Sequence, residues 1–252
     1  MDQAVKERDD GLIREEAVKQ VQAGAHTLDV NCGTLPAEAE PGALAWLVKT
    51  VQSATSVPLC LDSPNPAALA SGLAVHRGKP MINSISGEKA RYGQVLPLIK
   101  QYQAAIVALG MDDRGIPQNK NQAIGVGLKL VNDLLADGVP LNDIYFDPLV
   151  RSLATSPGSV LDTLSLVQDM ASRVPGLHFV SGLSNVSFGL PERRHINRAF
   201  VVLIVANGLD AVIMDPLDGT MVALIYAAEA LMNKDRFCLK YIEAYHHGKL
   251  KV

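Results

Sequence analysis

The chain has 252 residues, 48% hydrophobic and 19% charged, with a formal net charge of −3 at pH 7. That length suits one α/β domain with a full core, taken here as residues 1–252, and the lack of a Lys/Arg block leaves no electrostatic footprint for nucleic acid or an anionic membrane. Apolar runs are broken by Asp, Asn or Gly before reaching bilayer length, and the polar start around Asp2, Lys6, Glu7, Arg8, Asp9 and Asp10 has no signal-peptide core. These features predict a cytoplasmic protein.

Taken in chain order, Gln3 to Ala23 reads as one helix leading into a first apolar run, His26 to Asn31. Further runs follow at Val57 to Asp62, Pro80 to Ser84, Ala104 to Gly110, Ile144 to Asp147, His178 to Gly182 and Leu209 to Asp215. Each has the length and continuous apolar character of a buried parallel strand. Between them, Ala43 to Ala54, Glu88 to Gln103, Asn121 to Ala136, Ser159 to Arg173, Ile196 to Asn207 and Met221 to Met232 space their apolar residues by three and four, as helices do. Ala37 to Gly42 and Gly115 to Asn121 read as βα loops. Lys234 to His247 has helical character, and Gly248 to Val252 reads as a frayed end.

Repeated βα units fit a closed (β/α)8 TIM barrel or an open doubly wound sheet, and no glycine-rich fingerprint follows the first strand, which favours the barrel. Seven strands are one short of closure. The barrel's first strand is therefore expected to be missing from this chain, either lying upstream of Met1 or having its place filled from elsewhere.

Six strand ends carry a residue able to grip a ligand: Asn31, Asp62, Asn83, Asp147, Asn185 and Asp215. In a (β/α)8 barrel these share the C-terminal mouth, where active sites form. Any one of them could be a helix cap or turn residue, and Asp29 and Asp215 read as structural. As a set they point to a pocket. Carboxylates and amides without Lys or His suit a neutral polar heterocycle with several N–H donors, such as the amino-imide edge of a pterin or guanine. The loop Val180 to Gly189, rich in Gly and Ser, lets a flat ring approach the backbone beside Asn185. Cys32, Cys60 and Cys238 lack CxxC spacing, and the six histidines are scattered apart from His246-His247, so no metal site is predicted.

The strings Cys60-Leu61-Asp62-Ser63, Met81-Ile82-Asn83-Ser84, Tyr145-Phe146-Asp147-Pro148-Leu149 and Gly182-Leu183-Ser184-Asn185-Val186-Ser187 resemble the pterin-binding barrel methyltransferases. Leu28-Asp29-Val30-Asn31, Asn197-Arg198 and Gly208-Leu209-Asp210-Ala211 extend the likeness from about Ala25 through Asp215. More narrowly, the chain resembles the methyltetrahydrofolate:corrinoid protein methyltransferases, related to the folate domain of cobalamin-dependent methionine synthase.

The resemblance implies a pterin held by Asp62, Asn83 and Asp147, with Gly182 and Ser184 beside the ring. Asn185 would lie near N5 as the catalytic group, and Asn31 and Arg193 would complete the substrate site. It also implies tetrahydrofolate or its 5-methyl form as substrate, a corrinoid supplied by a partner protein, methyl transfer in either direction, and a homodimer. Two departures stand out: the family's opening Gly-Glu-Arg-Ile-Asn strand is absent, and Phe188 replaces a Gln found in the branch acting on the corrinoid iron-sulfur protein. Phe188-Gly189-Leu190-Pro191 is more similar to methionine synthase and to methyltransferases of catabolic demethylation. Dihydropteroate synthase, a phosphate-handling barrel using Asp215 to Thr220, and a non-catalytic carrier are the competing readings. The first lacks its late basic loop here, and no Asp-x-His-x-x-Gly corrinoid motif occurs.

Overall fold

A computed structural model describes residues 1–250. Its parallel strands are β1 (Leu28–Asn31), β2 (Leu59–Asp62), β3 (Met81–Gly87), β4 (Ala105–Asp112), β5 (Ile144–Asp147), β6 (His178–Gly182) and β7 (Ala211–Ile213), paired in simple chain order. A helix covers each connection: α3 (Glu40–Ala54), α4 (Pro66–Leu73), α5 (Lys89–Tyr102), α6 (Lys120–Ala136), α7 (Ser159–Arg173) and α8 (Arg193–Ala206), with α9 (Gly219–Leu231) after β7. A doubly wound sheet reverses its strand order partway, whereas this one never does, so the architecture is an incompletely closed TIM-type barrel.

Strand period decides where the core sits. Outward-facing Leu28, Val30, Leu59, Leu61, Ile82, Ile106, Ile144 and Phe146 are buried against the helices. Cross-strand register places Asn31 opposite Asp62, Asp62 opposite Asn83, Asn83 opposite Val107, and Val107 opposite Tyr145. These residues form one inward row, polar over β1 to β3. A one-residue slip would turn the row into the helix layer, so the apolar outer face locks the polar inner one in place.

Among the described residues no strand pairs with the free edges of β1 and β7. A cavity of about 720 Å³ opens there, lined by Asp29, Cys60 and Met81 from the strands and by Tyr226, Glu229 and Glu243 from the C-terminal helices. The expected seven-strand count holds.

Several expected boundaries shift for local reasons. The single N-terminal helix is two, α1 (Asp2–Glu7) and α2 (Asp10–Gln22), because Arg8 is left-handed and the Asp9 side chain accepts the Leu12 N–H as an N-cap. Helix α4 was not expected: its Pro-Ala-Ala-Leu-Ala-Ser-Gly-Leu run lacks apolar periodicity, but Asn65 caps it and Pro66 starts it. Glu40 to Gly42 and Lys120 to Asn121 belong to helices rather than loops. The C-terminal helix is interrupted by left-handed Phe237 and Cys238, leaving α10 (Leu239–His246).

Helix α6 contains two glycines in different surroundings. A Cβ on Gly127 would lie 2.8 Å from Phe146 Cζ and 3.1 Å from Met170 Cε, whereas one on Gly125 would meet nothing within 4 Å. Gly125→Ala should therefore stabilise the protein by about 0.5–1 kcal/mol through helix propensity. Gly127→Ala should destabilise it, because overpacking costs about 1–3 kcal/mol against the same gain. Urea midpoints of the two variants should move in opposite directions; movement in the same direction would contradict the close packing of α6 on β5.

Candidate active site

Asn31 and Asp62 end β1 and β2, whereas Asn83, expected to close its strand, lies third in the longer β3, and all three face the barrel interior. Asn31 Nδ2 donates to Asp62 Oδ2 at 2.7 Å, and Asn31 Oδ1 accepts the Gly33 N–H at 2.7 Å. With both ends of its amide engaged, Asn31 aims one carboxylate oxygen of Asp62 and leaves the other for a ligand. Asn83 Nδ2 lies 3.4 Å from Asp29 Oδ2, one layer deeper in the barrel. Asp29, read from sequence as structural, thus belongs to the inner wall.

Three carboxyls in this wall resist ionisation. Burial, reinforced by the nearby Asp62 charge, raises Asp29 from 3.8 to about 6, and burial raises Asp147 to about 6 against the opposing Leu149 N–H bond. Asp62 is raised by burial but restrained by the Asn31 bond and the Arg91 charge. Asp147 Oδ1 accepts the Leu149 N–H at 2.8 Å, which fixes the carboxylate in a tight turn, and its second oxygen has no hydrogen-bond partner among the described residues. Cys60 is buried near Asp29, and its thiol is pushed well up, first by burial. Such a thiol is a packing group rather than a nucleophile.

Arg91 holds the site's frame and was not singled out from sequence. From the first turn of α5 it donates Nε to Ser84 O at 2.9 Å, Nη1 to Pro64 O at 2.8 Å and Nη2 to Ser63 O at 2.9 Å. One planar fork therefore ties the chain after Asp62 to the chain after Asn83. A cation in a helix's first turn opposes the macrodipole, and that mismatch is the signal by which it could have been found. Ser63 Oγ, in turn, donates to the buried carboxylate of Glu40 at 2.8 Å.

On the far side of the mouth, β6 ends in the 3-10 turn Leu183–Ser187. Leu183 and Val186 are buried beneath it, while Ser184 and Asn185 are exposed. No hydrogen bond engages the Asn185 side chain among the described residues, so its amide is available to a ligand. Arg193 was expected as a substrate contact. It donates Nε to Ser187 Oγ at 3.0 Å and Nη2 to Ser184 O at 2.6 Å, and so braces the turn that carries Asn185. Asp215 accepts the Leu217 N–H at 2.9 Å in a turn, in line with its structural reading. Arg198 pairs with Asp218 at 2.8 Å, joining α8 to the cap of α9.

Carboxylates and amides on the strands around a mouth, with a Gly-Ser turn opposite, form a barrel site whose chemistry suits a polar heterocycle. The pterin binding enzyme family matches residues 1–215, and the chain belongs to that family. Within it, the chain is 35% identical over 249 residues to the methylcorrinoid:tetrahydrofolate methyltransferase of Eubacterium limosum, covering 98% of this chain and 92% of that protein. It is 29% identical over 210 residues to methionine synthase of Mycobacterium tuberculosis, covering 79% of this chain but 18% of that larger protein. The dihydropteroate synthase of Xanthomonas albilineans in complex with 7,8-dihydropteroate superposes with a TM-score of 0.70, at 17% identity and 86% coverage of each chain. That likeness concerns the fold. Among the described residues no helix is long and apolar enough to cross a membrane, and no group of three or more His, Cys, Asp or Glu is placed to hold a metal ion.

The raised carboxyls set a pH dependence. A carboxyl whose value is higher folded than unfolded favours the folded state while protonated, so its contribution is complete below about pH 4 and lost as pH rises through about 6. Across that window ligand-free protein should lose stability through Asp29 and Asp147. Asp29→Asn or Asp147→Asn should flatten the profile in urea titrations at stepped pH; slopes identical to wild type would remove burial as the cause.

Proposed function

We propose that this protein transfers a methyl group between the cobalt of a corrinoid carried on a partner protein and N5 of tetrahydrofolate. The observation that carries this reading is the 35% identity along 98% of the chain to a methylcorrinoid:tetrahydrofolate methyltransferase, which the chain matches over nearly its whole length. In that relative's name the methyl leaves the corrinoid, and we take the same direction here.

In this reading Asp62, Asn83 and Asp147 bind the amino-imide edge of the pterin. Two carboxylates accept its N–H groups, and the Asn83 amide satisfies a ring nitrogen and oxygen together. Asn31 aims Asp62, Gly182 and Ser184 flank the ring, and Arg193 braces the turn. N5 attacks the methyl carbon as the cobalt–carbon bond breaks, and the bonding pair stays on cobalt, which passes from the +3 to the +1 state. N5 gains positive charge and then releases its proton to solvent. The side-chain oxygen of Asn185 accepts the N5–H bond, which strengthens as that charge grows, so Asn185 favours the transition state over the bound substrate. Folate release then regenerates the pocket.

A dihydropteroate synthase activity requires cations for a departing pyrophosphate, and the basic group nearest the β6 turn, Arg193, is already committed to Ser184 and Ser187. For assembly we propose a homodimer through the C-terminal elements, where Leu231, Phe237, Leu239, Ile242 and Tyr245 are exposed together in sequence. A single domain is supported by one apolar cluster running from Ala4 to Ala228, and the cytoplasm is the proposed location.

Asp62→Ala, Asn83→Ala and Asp147→Ala should each weaken tetrahydrofolate binding by about 1.5–3 kcal/mol, the cost of losing a charge-assisted bond. Isothermal calorimetry checks this, and unchanged affinity in all three variants would sink the pocket assignment. Asn185→Ala should slow single-turnover methyl transfer by about 10²- to 10³-fold, as loss of a transition-state donor or acceptor does, with much less effect on folate affinity. A normal rate with weakened binding would make Asn185 a positioning group instead.

A further inference from the structure

We infer that Phe188 is the platform on which the flat face of the corrin ring rests during transfer, an inference that depends on the methyl-transfer reading above. Phe188 is 69% exposed although its neighbour Val186 is completely buried. A lone exposed apolar side chain needs no explanation by itself, but the backbone that carries this one is pinned at several points. Its N–H donates to Asn185 O at 3.2 Å and its carbonyl accepts Ser152 Oγ at 2.6 Å. The Leu153 N–H donates to Val186 O at 3.0 Å, which clamps the turn to the loop after β5. Over one face of the ring, the Arg193 guanidinium carbon lies 6.0 Å from the centroid, which leaves the other face open, and Arg193 is itself fixed by Ser184 and Ser187. A cation at the ring favours one orientation of it.

The position of this ring follows from the turn. Phe188 caps the C-terminal end of the 3-10 turn that carries Asn185, and its N–H bond to the Asn185 carbonyl keeps the two residues adjacent at the mouth. Methyl transfer requires N5, the methyl carbon and cobalt to lie in line, so the corrin must approach face-on over the group that Asn185 contacts. The corrin is a broad, largely apolar disc, wider than the pterin's reacting atom, and its rim must pass over residues next to Asn185. An aromatic side chain there offers van der Waals and stacking contact without demanding a hydrogen bond in return. Leu217, 48% exposed on the loop after β7, is a second apolar tip on the same end of the barrel.

The test uses free methylcobalamin and tetrahydrofolate with the full chain. Phe188→Ala should raise KM for methylcobalamin about tenfold, the size of effect seen when a stacking platform is truncated, and leave tetrahydrofolate affinity unchanged by calorimetry. The single-turnover rate at saturating methylcobalamin should also be unchanged, and Phe188→Tyr should restore KM. An unaltered KM in Phe188→Ala, or a fall in folate affinity that tracks it, would overturn the assignment. Wild-type protein that moves no methyl group at all would instead overturn the underlying reading, so the two failures are told apart by the wild-type control.

Discussion

The in-register alignment of Asn31, Asp62 and Asn83 across three neighbouring parallel strands is the constraint from which the rest of the site follows. A strand presents every second residue inward, so a polar inner row is possible only if the intervening residues find an apolar layer outside. Leu28, Val30, Leu59, Leu61 and Ile82 supply that layer, all within 5% of complete burial. Burial of the outer face thus holds the inner face in position, including carboxyls that resist ionisation where they stand.

Around this row a set of hydrogen bonds fixes the orientation of the site. Arg91 bonds two carbonyls of the loop after β2 and one of β3, Asn31 uses both ends of its amide, Ser63 leans on buried Glu40, and Arg193 ties down two points of the β6 turn. None of these bonds is made by Asn185 or by the second oxygen of Asp147. The division is physically sensible: groups engaged with the protein keep the framework rigid, and groups left unengaged at the mouth can bond to substrate without first breaking a protein contact.

Much of this was legible in the amino-acid sequence. The seven strands read as short apolar runs because parallel strands are buried on both faces, and Asp62, Asn83, Asp147 and Asn185 stood out as polar residues closing such runs. Arg91 was not singled out and Asp29 was read as structural, since their partners lie 28 and 54 residues away and no local pattern links Arg91 to Ser63 or Asp29 to Asn83. Helix α4 escaped for a different reason: its small residues pack directly on β2, and a Cβ on Gly72 would meet Leu61 Cδ2 at 2.7 Å, so close contact replaces the apolar stripe by which helices are usually recognised. The break at Arg8 and Asp9 was likewise a local competition, in which a side-chain cap interrupts an otherwise continuous helical pattern.

By itself, then, the order of residues determined the alternation of strands and helices, the barrel class, and the kind of chemistry at the strand ends, because these depend on period and residue type along the chain. Tertiary structure alone decided which polar groups face one another and which are free. Asn31 and Arg193 became braces because their partners are already in reach, Asp29 became part of the wall through its inward register, and Phe188 stayed in solvent because the turn beneath it is pinned. Those outcomes depend on distances between residues far apart in sequence, which only the closing of the sheet brings within a hydrogen bond of one another.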